Sequence, residues 1–298
     1  MRMVIALGGN ALLQRGEPLT LASQRRNVER AVTALAPLAR DHQLVITHGN
    51  GPQVGLLALR ASGDPLDVLD AETEGQIGYL IEQELANQLP DRRCVALLTQ
   101  IEVDPRDPAF ANPSKPIGPG YDAAAAGRLT RERGWHMKRD GERWRRVVAS
   151  PRPLRILELS AIELLVSHAV LVICAGGGGI PVISRADGSH TGVEAVIDKD
   201  LASSLLARSL KADALLLLTD VDAVYRDFGT PKADAIHQAS PEQLRQLSFA
   251  PGSMAPKVEA ACEFVEATGG VAAIGRLDQV QEIVRNEAGT RVATQAAR

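Results

Sequence analysis

Short, uninterrupted runs of apolar residues recur along the chain, and longer stretches with helical periodicity lie between them. The apolar runs predict buried strands at residues 3–7, 44–47, 94–98, 170–174, 215–219 and 271–275. The periodic stretches predict helices at residues 22–40, 53–60, 72–88 and 199–211. Strands that are apolar on both faces and alternate with helices are typical of a parallel sheet covered by helices. The pattern therefore predicts an α/β protein with a mostly parallel sheet.

The middle of the chain breaks this rhythm. Prolines at positions 108, 113, 116 and 119 crowd one short segment, and we expect residues 110–121 to lack regular structure. Residues 134–148 predict a β-hairpin that turns at Asp140 and Gly141, because glycine tolerates the positive φ of a tight turn. Basic residues outnumber acidic ones along this hairpin. We interpret residues 115–153 as an excursion from the main sheet, either a solvated surface hairpin or a lid over an anionic substrate.

Composition narrows the classes of function. The 298 residues carry a formal net charge of −3, which argues against a dedicated nucleic-acid binder. Cys94, Cys174 and Cys262 are far apart and form no C-x-x-C pair, so we expect no disulfide framework, no zinc site and a reducing, cytoplasmic compartment. No run approaches the roughly 18 apolar residues that span a bilayer, so no membrane association is expected.

Three glycine-rich turns each follow a predicted strand. They are LGGNA at residues 7–11, THGNGPQVG at 47–55 and CAGGGGIPV at 174–182. Glycine lets backbone N–H groups approach an anion, and such turns gather at the carboxyl edge of a parallel sheet. None has P-loop spacing, and GNGPQVG lacks dinucleotide-binding spacing. We interpret the three as an anion-binding edge, the alternative being plain tight turns. His48, inside the second turn, is interpreted as structural, and no histidine shows metal-ligand spacing.

Three lysines occupy positions where proline, glycine or a helix start constrains the backbone. Lys115 lies among prolines, Lys199 lies in IDKD, and Lys257 follows GSMAP. Phosphoryl transfer requires cations beside the transferring group, although an exposed surface role is the default for any single lysine. Asp198 and Asp200 flank Lys199. Each of them could cap the helix, orient lysines or hold the magnesium ion of a nucleotide.

The chain resembles the carbamate kinases of the amino-acid kinase superfamily. The matching stretches follow the family order between residues 4 and 275, and they are ALGGNALL, THGNGPQVG, EGQIGYLI, DPAFANPSKPIGPGY, RRVVASPRP, AGGGGIPV, GVEAVIDKDLAS, LLLLTDVDAVY and FAPGSMAPKVEAA. GGN together with IDKD separates carbamate kinases from relatives that carry a lysine before the first glycine pair. Ala6 occupies that position here, and Lys199 is the expected replacement charge.

The resemblance implies an open three-layer αβα sandwich with a mainly parallel sheet, in which residues 1–298 form one domain. Within it, residues 1–212 are expected to form a carbamate-binding N-terminal lobe and residues 213–298 a nucleotide-binding C-terminal lobe. Residues 115–153 are expected to form a small protruding lid subdomain. The resemblance also implies a homodimer whose substrates are ATP or ADP and carbamate or carbamoyl phosphate. Mg²⁺ is expected to arrive with the nucleotide rather than at a dedicated protein site.

The resemblance also assigns residues. Lys199 and Lys257 match the charge partners of the transferring phosphoryl group, Asp200 matches their organiser, and Lys115 matches the lysine that the lid presents to the substrate. The residues expected to bind phosphate or carbamate all belong to the glycine turns: Gly8, Gly9, Asn10, Gly49, Asn50, Gly51, Gly176 and Gly177. The residues expected to bind the nucleotide are Thr219, Asp220, Val221, Tyr225 and Met254.

Three other functions stay open on the sequence. The chain could be another amino-acid kinase that phosphorylates a carboxylate such as acetylglutamate or aspartate. It could be a nucleotide-sensing module without catalysis, although such a module is expected to have lost Lys199, Lys257 or Asp200, and all three are present. It could also bind RNA through the basic hairpin, which the acidic net charge disfavours.

Overall fold

The computed structural model describes residues 1–12, 17–18, 20–60, 63–249 and 252–294, with the side chains of Asn10 and Ala11 outside the description. Its helices are α1 Gly9–Leu12, α2 Leu21–Asp41, α3 Gly51–Arg60, α4 Leu66–Gln88, α5 Ala123–Arg133, α6 Leu159–Ser167, α7 Lys199–Ser209, α8 Pro241–Arg245, α9 Met254–Thr268 and α10 Val280–Val284. Its strands are β1 Arg2–Leu7, β2 Gln43–His48, β3 Cys94–Ala96, β4 Gln100–Val103, β5 Lys115–Tyr121, β6 Met137–Asp140, β7 Arg143–Val148, β8 Pro153–Ile156, β9 Leu171–Ile173, β10 Ile180–Ser184, β11 His190–Gly192, β12 Ala214–Thr219, β13 Val224–Arg226, β14 Asp234–Ile236, β15 Gln238–Ala239, β16 Val271–Arg276 and β17 Thr290–Val292.

The main sheet contains eight strands in the order β15-β17-β16-β12-β1-β2-β9-β3. The six strands from β16 to β3 are parallel, and β17 runs antiparallel to β16. Strand β1 is central, with Ile5 opposite Leu216 on one side and Ile46 on the other. This arrangement confirms the predicted α/β fold with a mainly parallel sheet. The sheet takes strands from both predicted lobes, and their division into two binding lobes stays a prediction.

Helices cover both faces of this sheet. The even-numbered residues of β1 join a buried apolar cluster with α7 and α9, and the odd-numbered ones join a second cluster with α2 and α4. Because successive side chains of a strand point to opposite faces, one strand contributes to both clusters. The result is the three-layer αβα sandwich that the resemblance implied.

The predicted main-sheet elements are all present. Six strands and three of the four helices begin and end within two residues of the predicted positions. Helix α4 is the exception, since it begins at Leu66 rather than at residue 72. Leu66 and Leu69 are buried on the same face as Ile77, so the apolar stripe of the helix continues into this extra turn. A second sheet of four short strands, in the order β11-β10-β4-β8, was not predicted.

The excursion is a three-stranded sheet in the order β5-β7-β6 together with α5. The predicted hairpin is confirmed: Asp140 pairs with Arg143, and Gly141 in the turn has φ 63°. The expectation that residues 110–121 lack regular structure holds for residues 110–114 and was wrong for residues 115–121, which form β5 despite two prolines. An edge strand tolerates proline, and among the described strands β5 pairs only with β7, with a break in register between Ile117 and Tyr121.

Helix α5 of the excursion was also not predicted. Asp122 caps its start by accepting a hydrogen bond of 2.7 Å from the backbone N–H of Ala125, and Gly134 ends it with φ 66°. Within the described ranges, no helix is long and apolar enough to cross a membrane.

Candidate active site

The first two glycine turns meet at the carboxyl edge of the sheet. They follow the adjacent strands β1 and β2, and the backbone N–H of Gly49 donates to the carbonyl of Leu7 at 3.1 Å. A methyl group added to Gly49 would lie 3.2 Å from the nitrogen of Gly9 and 3.8 Å from Cδ of Lys199. The two turns and the Lys199 side chain are therefore in close proximity. Gly8 and Gly51 flank this point, whereas the side chain of Asn10 lies outside the described residues.

The third glycine turn packs against the second. It follows β9, and Gly177 has φ 72°. A methyl group on Gly176 would overlap the ring of His48, and one on Gly177 would overlap the side-chain amide of Asn50. Glycine is required at both positions because the neighbouring side chains fill the space of a Cβ atom. All three turns thus lie together, as the position of each after a parallel strand predicted.

Two lysines converge on one buried carboxylate. The Nζ atom of Lys199 donates to Oδ1 of Asp200 at 2.6 Å, and Nζ of Lys257 donates to Oδ2 at 2.8 Å. Side-chain exposure is 10% for Lys199, 14% for Lys257 and 6% for Asp200. Both lysines stand in the first turn of a helix, α7 and α9 respectively. Two positive charges are therefore held side by side next to the glycine turns.

Burial and charge act in opposite directions on this triad. Burial raises the pKa of Asp200, but the charges of Lys199 and Lys257 outweigh it and hold that pKa below its ordinary value. Burial lowers the pKa of Lys199, and the attraction of Asp200 opposes that shift only in part. For Lys257 burial also lowers the pKa, but the attraction of Asp200 outweighs it and raises the pKa. The carboxylate stays ionised at neutral pH and preserves charge on the lysines.

The excursion reaches this cluster through Lys115. Its Nζ atom donates to Oδ2 of Asp198 at 2.8 Å. The other oxygen of Asp198 caps α7, accepting from the backbone N–H of Asp200 at 2.9 Å and of Leu201 at 3.4 Å. Burial raises the pKa of Asp198, but the charge and hydrogen bond of Lys115 together with the charge of Lys199 outweigh it and lower that pKa. The two aspartates therefore have different contacts. Asp198 caps α7 and binds Lys115, and Asp200 binds Lys199 and Lys257.

The residues assigned to the nucleotide begin at the end of β12, next to the first glycine turn. A methyl group on Gly8 would lie 3.6 Å from Cα of Thr219, whose hydroxyl donates to Asp220 at 3.2 Å. Val221 continues this segment. Tyr225 lies on β13 and donates to both carboxylate oxygens of Asp222 at 3.0 and 3.1 Å. Met254 is the first residue of α9, one turn before Lys257.

Sequence reasoning missed a polar face on α4. Asp70, Thr73 and Glu74 are at most 3% exposed and lie on one side of the helix. The amide of Asn50 donates to Oδ1 of Asp70 at 2.8 Å and to the hydroxyl of Thr73 at 2.9 Å. A signal for this face exists in the sequence, because these positions continue the apolar stripe of α4, where polar residues are unusual. Asp70 and Thr73 fix the orientation of Asn50 in the second turn.

Glu74 fixes the third turn in a similar way. Its Oε1 atom accepts from the N–H of Gly176 at 2.8 Å, and Oε2 accepts from the N–H of Thr99 at 3.1 Å. Burial raises its pKa to about 8. Burial lowers the pKa of the neighbouring His48 to about 4, so this ring is neutral at neutral pH. Glu74 binds the backbone of the third turn, and the ring of His48 packs against Gly176 of the same turn. These contacts agree with a structural role for His48.

The chain is similar along nearly its whole length to known kinases of one family. The sequence profile of the amino acid kinase family matches residues 1–274. The carbamate kinase of Rhizobium meliloti (strain 1021) is 56% identical, over 99% of this chain and 94% of its own. That of Pyrococcus furiosus is 45% identical, over 98% of both chains. The structure of carbamate kinase from Giardia lamblia bound to AMP-PNP superposes with a TM-score of 0.88 at 40% identity, over 98% of both chains.

The chain belongs to the carbamate kinase family. The resemblance drawn from the sequence motifs is thereby confirmed, together with the fold that it implied. Membership makes the chain an enzyme of the kinase class, which takes a nucleotide as one substrate. This membership argues against the two alternatives of a kinase for acetylglutamate or aspartate and of a nucleotide-sensing module without catalysis. The roles assigned to individual site residues stay predictions. The contacts of Asp200 with Lys199 and Lys257 show which side chains these predictions concern.

Proposed function

We propose that the chain catalyses reversible phosphoryl transfer between ATP and carbamate, giving ADP and carbamoyl phosphate. The observation that carries this proposal is the carboxylate of Asp200 holding Lys199 and Lys257 at 2.6 and 2.8 Å beside the glycine turns. Transfer between two anions is limited by charge repulsion and by positioning. A preorganised pair of cations in a buried site addresses both.

The proposed mechanism needs no general base. Carbamate is already an anion, so its oxygen attacks the γ-phosphorus of ATP directly, and the bond from that phosphorus to the bridging oxygen of ADP breaks. Lys199 and Lys257 neutralise the charge that spreads over the transferring group, while backbone N–H groups of the turns at Gly8–Gly9 and Gly49–Gly51 bind its oxygens. Lys115 contacts the small substrate. The low pKa of Asp200 keeps the carboxylate ionised, so it orients both lysines throughout.

Magnesium is proposed to arrive as part of the nucleotide substrate. Both oxygens of Asp200 accept hydrogen bonds from lysines, and those of Asp198 accept from Lys115 and from the start of α7. In the described ranges, no group of three or more His, Cys, Asp or Glu residues is placed to hold a metal. An ion coordinated by the nucleotide phosphates would screen the charge of the polyphosphate.

The finer features of the function are proposals that rest on the family. We propose that the reaction runs toward ATP synthesis in arginine catabolism, in the cytoplasm, and that the enzyme is a homodimer. We also propose that residues 1–212 hold carbamate, residues 213–298 hold the nucleotide and residues 115–153 act as a lid. Thr219, Asp220, Val221, Tyr225 and Met254 are the proposed nucleotide contacts.

A panel of phosphoryl acceptors tests the proposed substrate. Purified enzyme is incubated with Mg-ATP and either carbamate, acetylglutamate or aspartate, and release of ADP is measured. Of the three acceptors, we expect only carbamate to support release of ADP. Turnover with acetylglutamate or aspartate that equals or exceeds turnover with carbamate would overturn the assignment, because those substrates require an amino-acid pocket. Gel filtration of the same preparation tests the dimer.

A further inference from the structure

The excursion rests on helix α3 through a contact between two glycines, Gly55 of α3 and Gly118 of β5. A methyl group on Gly55 would overlap the backbone nitrogen and Cα of Gly118. A methyl group on Gly118 would lie 3.2 Å from Cα and 3.3 Å from the carbonyl of Gly55. Gly118 also has φ 70°, a conformation that favours glycine. Gly55 lies within a helix, so the only requirement for glycine at this position is the close approach of β5.

Apolar and polar contacts surround this glycine pair. Val54 and Ala58 of α3 form a buried cluster with Ile117 and Val148 of the excursion, and Val54 and Ile117 are fully buried. The side chain of Arg133 donates to the carbonyl of Ala58 at 3.3 Å. Contacts of this kind fix the relative position of two elements, since a buried interface is close-packed and resists small displacements. The excursion is therefore a docked unit rather than a freely solvated hairpin.

Both elements of the contact lead directly to the active site. Helix α3 begins at Gly51, immediately after Asn50 of the second glycine turn. Strand β5 begins at Lys115, three residues before Gly118, and the Nζ atom of Lys115 lies 2.8 Å from Oδ2 of Asp198. The glycine contact is thus three residues from Lys115 along β5 and four residues from Gly51 along α3.

We propose that Gly55 and Gly118 form a seat that positions Lys115 against the phosphoryl-transfer site. This proposal rests on the proposed function, in which Lys115 contacts the small substrate. It assigns the last glycine of THGNGPQVG to docking of the excursion, and leaves anion binding to the earlier glycines of that motif. Gly55 and Gly118 are positioning residues, since they act through Lys115 and do not themselves touch the substrate.

The size of the expected displacement follows from the packing. Non-bonded carbon atoms pack at about 3.5–4.0 Å, so a methyl group on Gly55 pushes β5 away by more than about 1 Å. Misplacement of about 1 Å can reduce a rate by about 100-fold when positioning matters. Alanine is the better helix former, so the substitution does not weaken α3 itself.

The test compares Gly55→Ala with Gly75→Ala. Gly75 is an exposed glycine in helix α4, where an added methyl group would meet only Cδ2 of Leu98, at 3.8 Å. In ATP formation from ADP and carbamoyl phosphate, we expect Gly55→Ala to lower kcat/KM for carbamoyl phosphate about 10- to 100-fold, with KM for ADP within about twofold of wild type. Gly75→Ala should match wild type. Equal kinetics for the two variants would overturn the proposal.

A double variant separates positioning from general damage. If the seat acts through Lys115, then Gly55→Ala in a Lys115→Ala background should cost little more than Lys115→Ala alone. Independent, multiplicative losses would contradict the proposal.

Hydrogen exchange gives a readout that does not need activity. In Gly55→Ala, amide protection should fall in β5 and β7 and remain unchanged in β1 and β12; unchanged protection in β5 would count against the seat. Should Gly55→Ala fail to fold, Ile117→Val loosens the same interface and must show the same pattern in weaker form. A wild-type enzyme without carbamoyl phosphate activity would refute the proposed function, while hydrogen exchange would still decide on the seat.

Discussion

At the scale of single residues, the proposed active site is built on Asp200, which binds both Lys199 and Lys257. A buried carboxylate between two ammonium groups stays ionised, and its lysines cannot swing away as exposed lysines do. Removing one lysine leaves the other as a partner, so Asp200 is not left as an isolated buried charge. Each lysine can therefore be tested separately by mutation.

Lys257→Ala should reduce turnover severely and leave the protein folded. Losing one charge partner of a transferring phosphoryl group costs on the order of 3 kcal/mol, which corresponds to about 100-fold in kcat. Steady-state kinetics and circular dichroism check the two halves of this prediction. Lys232→Ala, which removes an exposed lysine, is the matched control and should be neutral. A folded Lys257→Ala enzyme with near wild-type kcat would remove Lys257 from the mechanism.

Glu74 makes a testable contribution to the pH dependence of stability. Its pKa is about 8 in the folded protein, against an ordinary value of 4.5. Between these values the native state holds a proton that the unfolded chain releases, so the contribution of Glu74 to the free energy of unfolding falls as the pH rises. The slope is at most about 1.4 kcal/mol per pH unit.

Glu74→Gln should abolish this slope, because glutamine does not titrate. Urea unfolding at intervals from pH 5 to pH 8 should give wild-type and variant curves that differ in their pH dependence across this range. His48 contributes in the opposite direction below its ordinary pKa of 6.5, but it is present in both proteins and cancels in the comparison. Parallel curves would mean that Glu74 is ionised in the native state throughout.

At the scale of secondary-structure elements, the start of α7 joins the excursion to the lysine cluster. Asp198 caps the helix with one oxygen and binds Lys115 with the other. Its neighbour Asp200 sits in the first helical turn, where the positive end of the helix dipole favours a negative charge. One short segment therefore sets the positions of Lys115, Lys199 and Asp200.

Asp198→Asn and Asp198→Ala should separate the two roles of this residue. Asparagine is an equally good cap, so Asp198→Asn should keep α7 intact and weaken only the ion pair with Lys115. Alanine removes the cap as well and should cost about 1 kcal/mol more in the free energy of unfolding. Chemical denaturation of both variants measures this difference. Equal stability of the two variants would show that the cap contributes little.

Sequence patterns predicted some elements and missed others for physical reasons. The main strands were predictable because they are buried on both faces and read as apolar runs. Strand β5 was not, since its two prolines are tolerated only at an edge, and edge positions are set by long-range pairing. Strand β4 was missed because its partners, β8 and β10, lie far from it along the chain. Strand β11 pairs locally with β10, and the sequence analysis missed this short hairpin.

The same distinction applies to the site. Lys199, Lys257 and Asp200 could be identified because motifs at helix starts mark them. Glu74 and Asp70 were missed, although they continue the apolar stripe of α4, because a polar residue inside a helix is more often exposed. Only their contacts with the turns reveal that they support Asn50 and Gly176. Motifs thus identified the proposed contacts with substrate, and the structure was needed to identify the residues behind them.

At the scale of the whole molecule, the order of the parallel strands assembles the site. Strands β12, β1, β2 and β9 are neighbours, so the segments that follow them meet at one edge of the sheet. Helices α7 and α9 on one face bring their lysines to this edge, α4 on the other face supports the turns, and the excursion adds Lys115. We propose that this edge of the sheet transfers a phosphoryl group between ADP and carbamoyl phosphate.

The most direct test is ATP formation from ADP and carbamoyl phosphate with Mg²⁺, measured for wild type and for Asp200→Asn. The wild-type enzyme should form ATP. Asp200→Asn removes the charge that orients Lys199 and Lys257, so its turnover at saturating substrates should fall on the order of 100-fold, with ADP affinity nearly unchanged. A wild-type enzyme that forms no ATP would contradict the account. An Asp200→Asn enzyme with full turnover and only weakened ADP binding would contradict it equally.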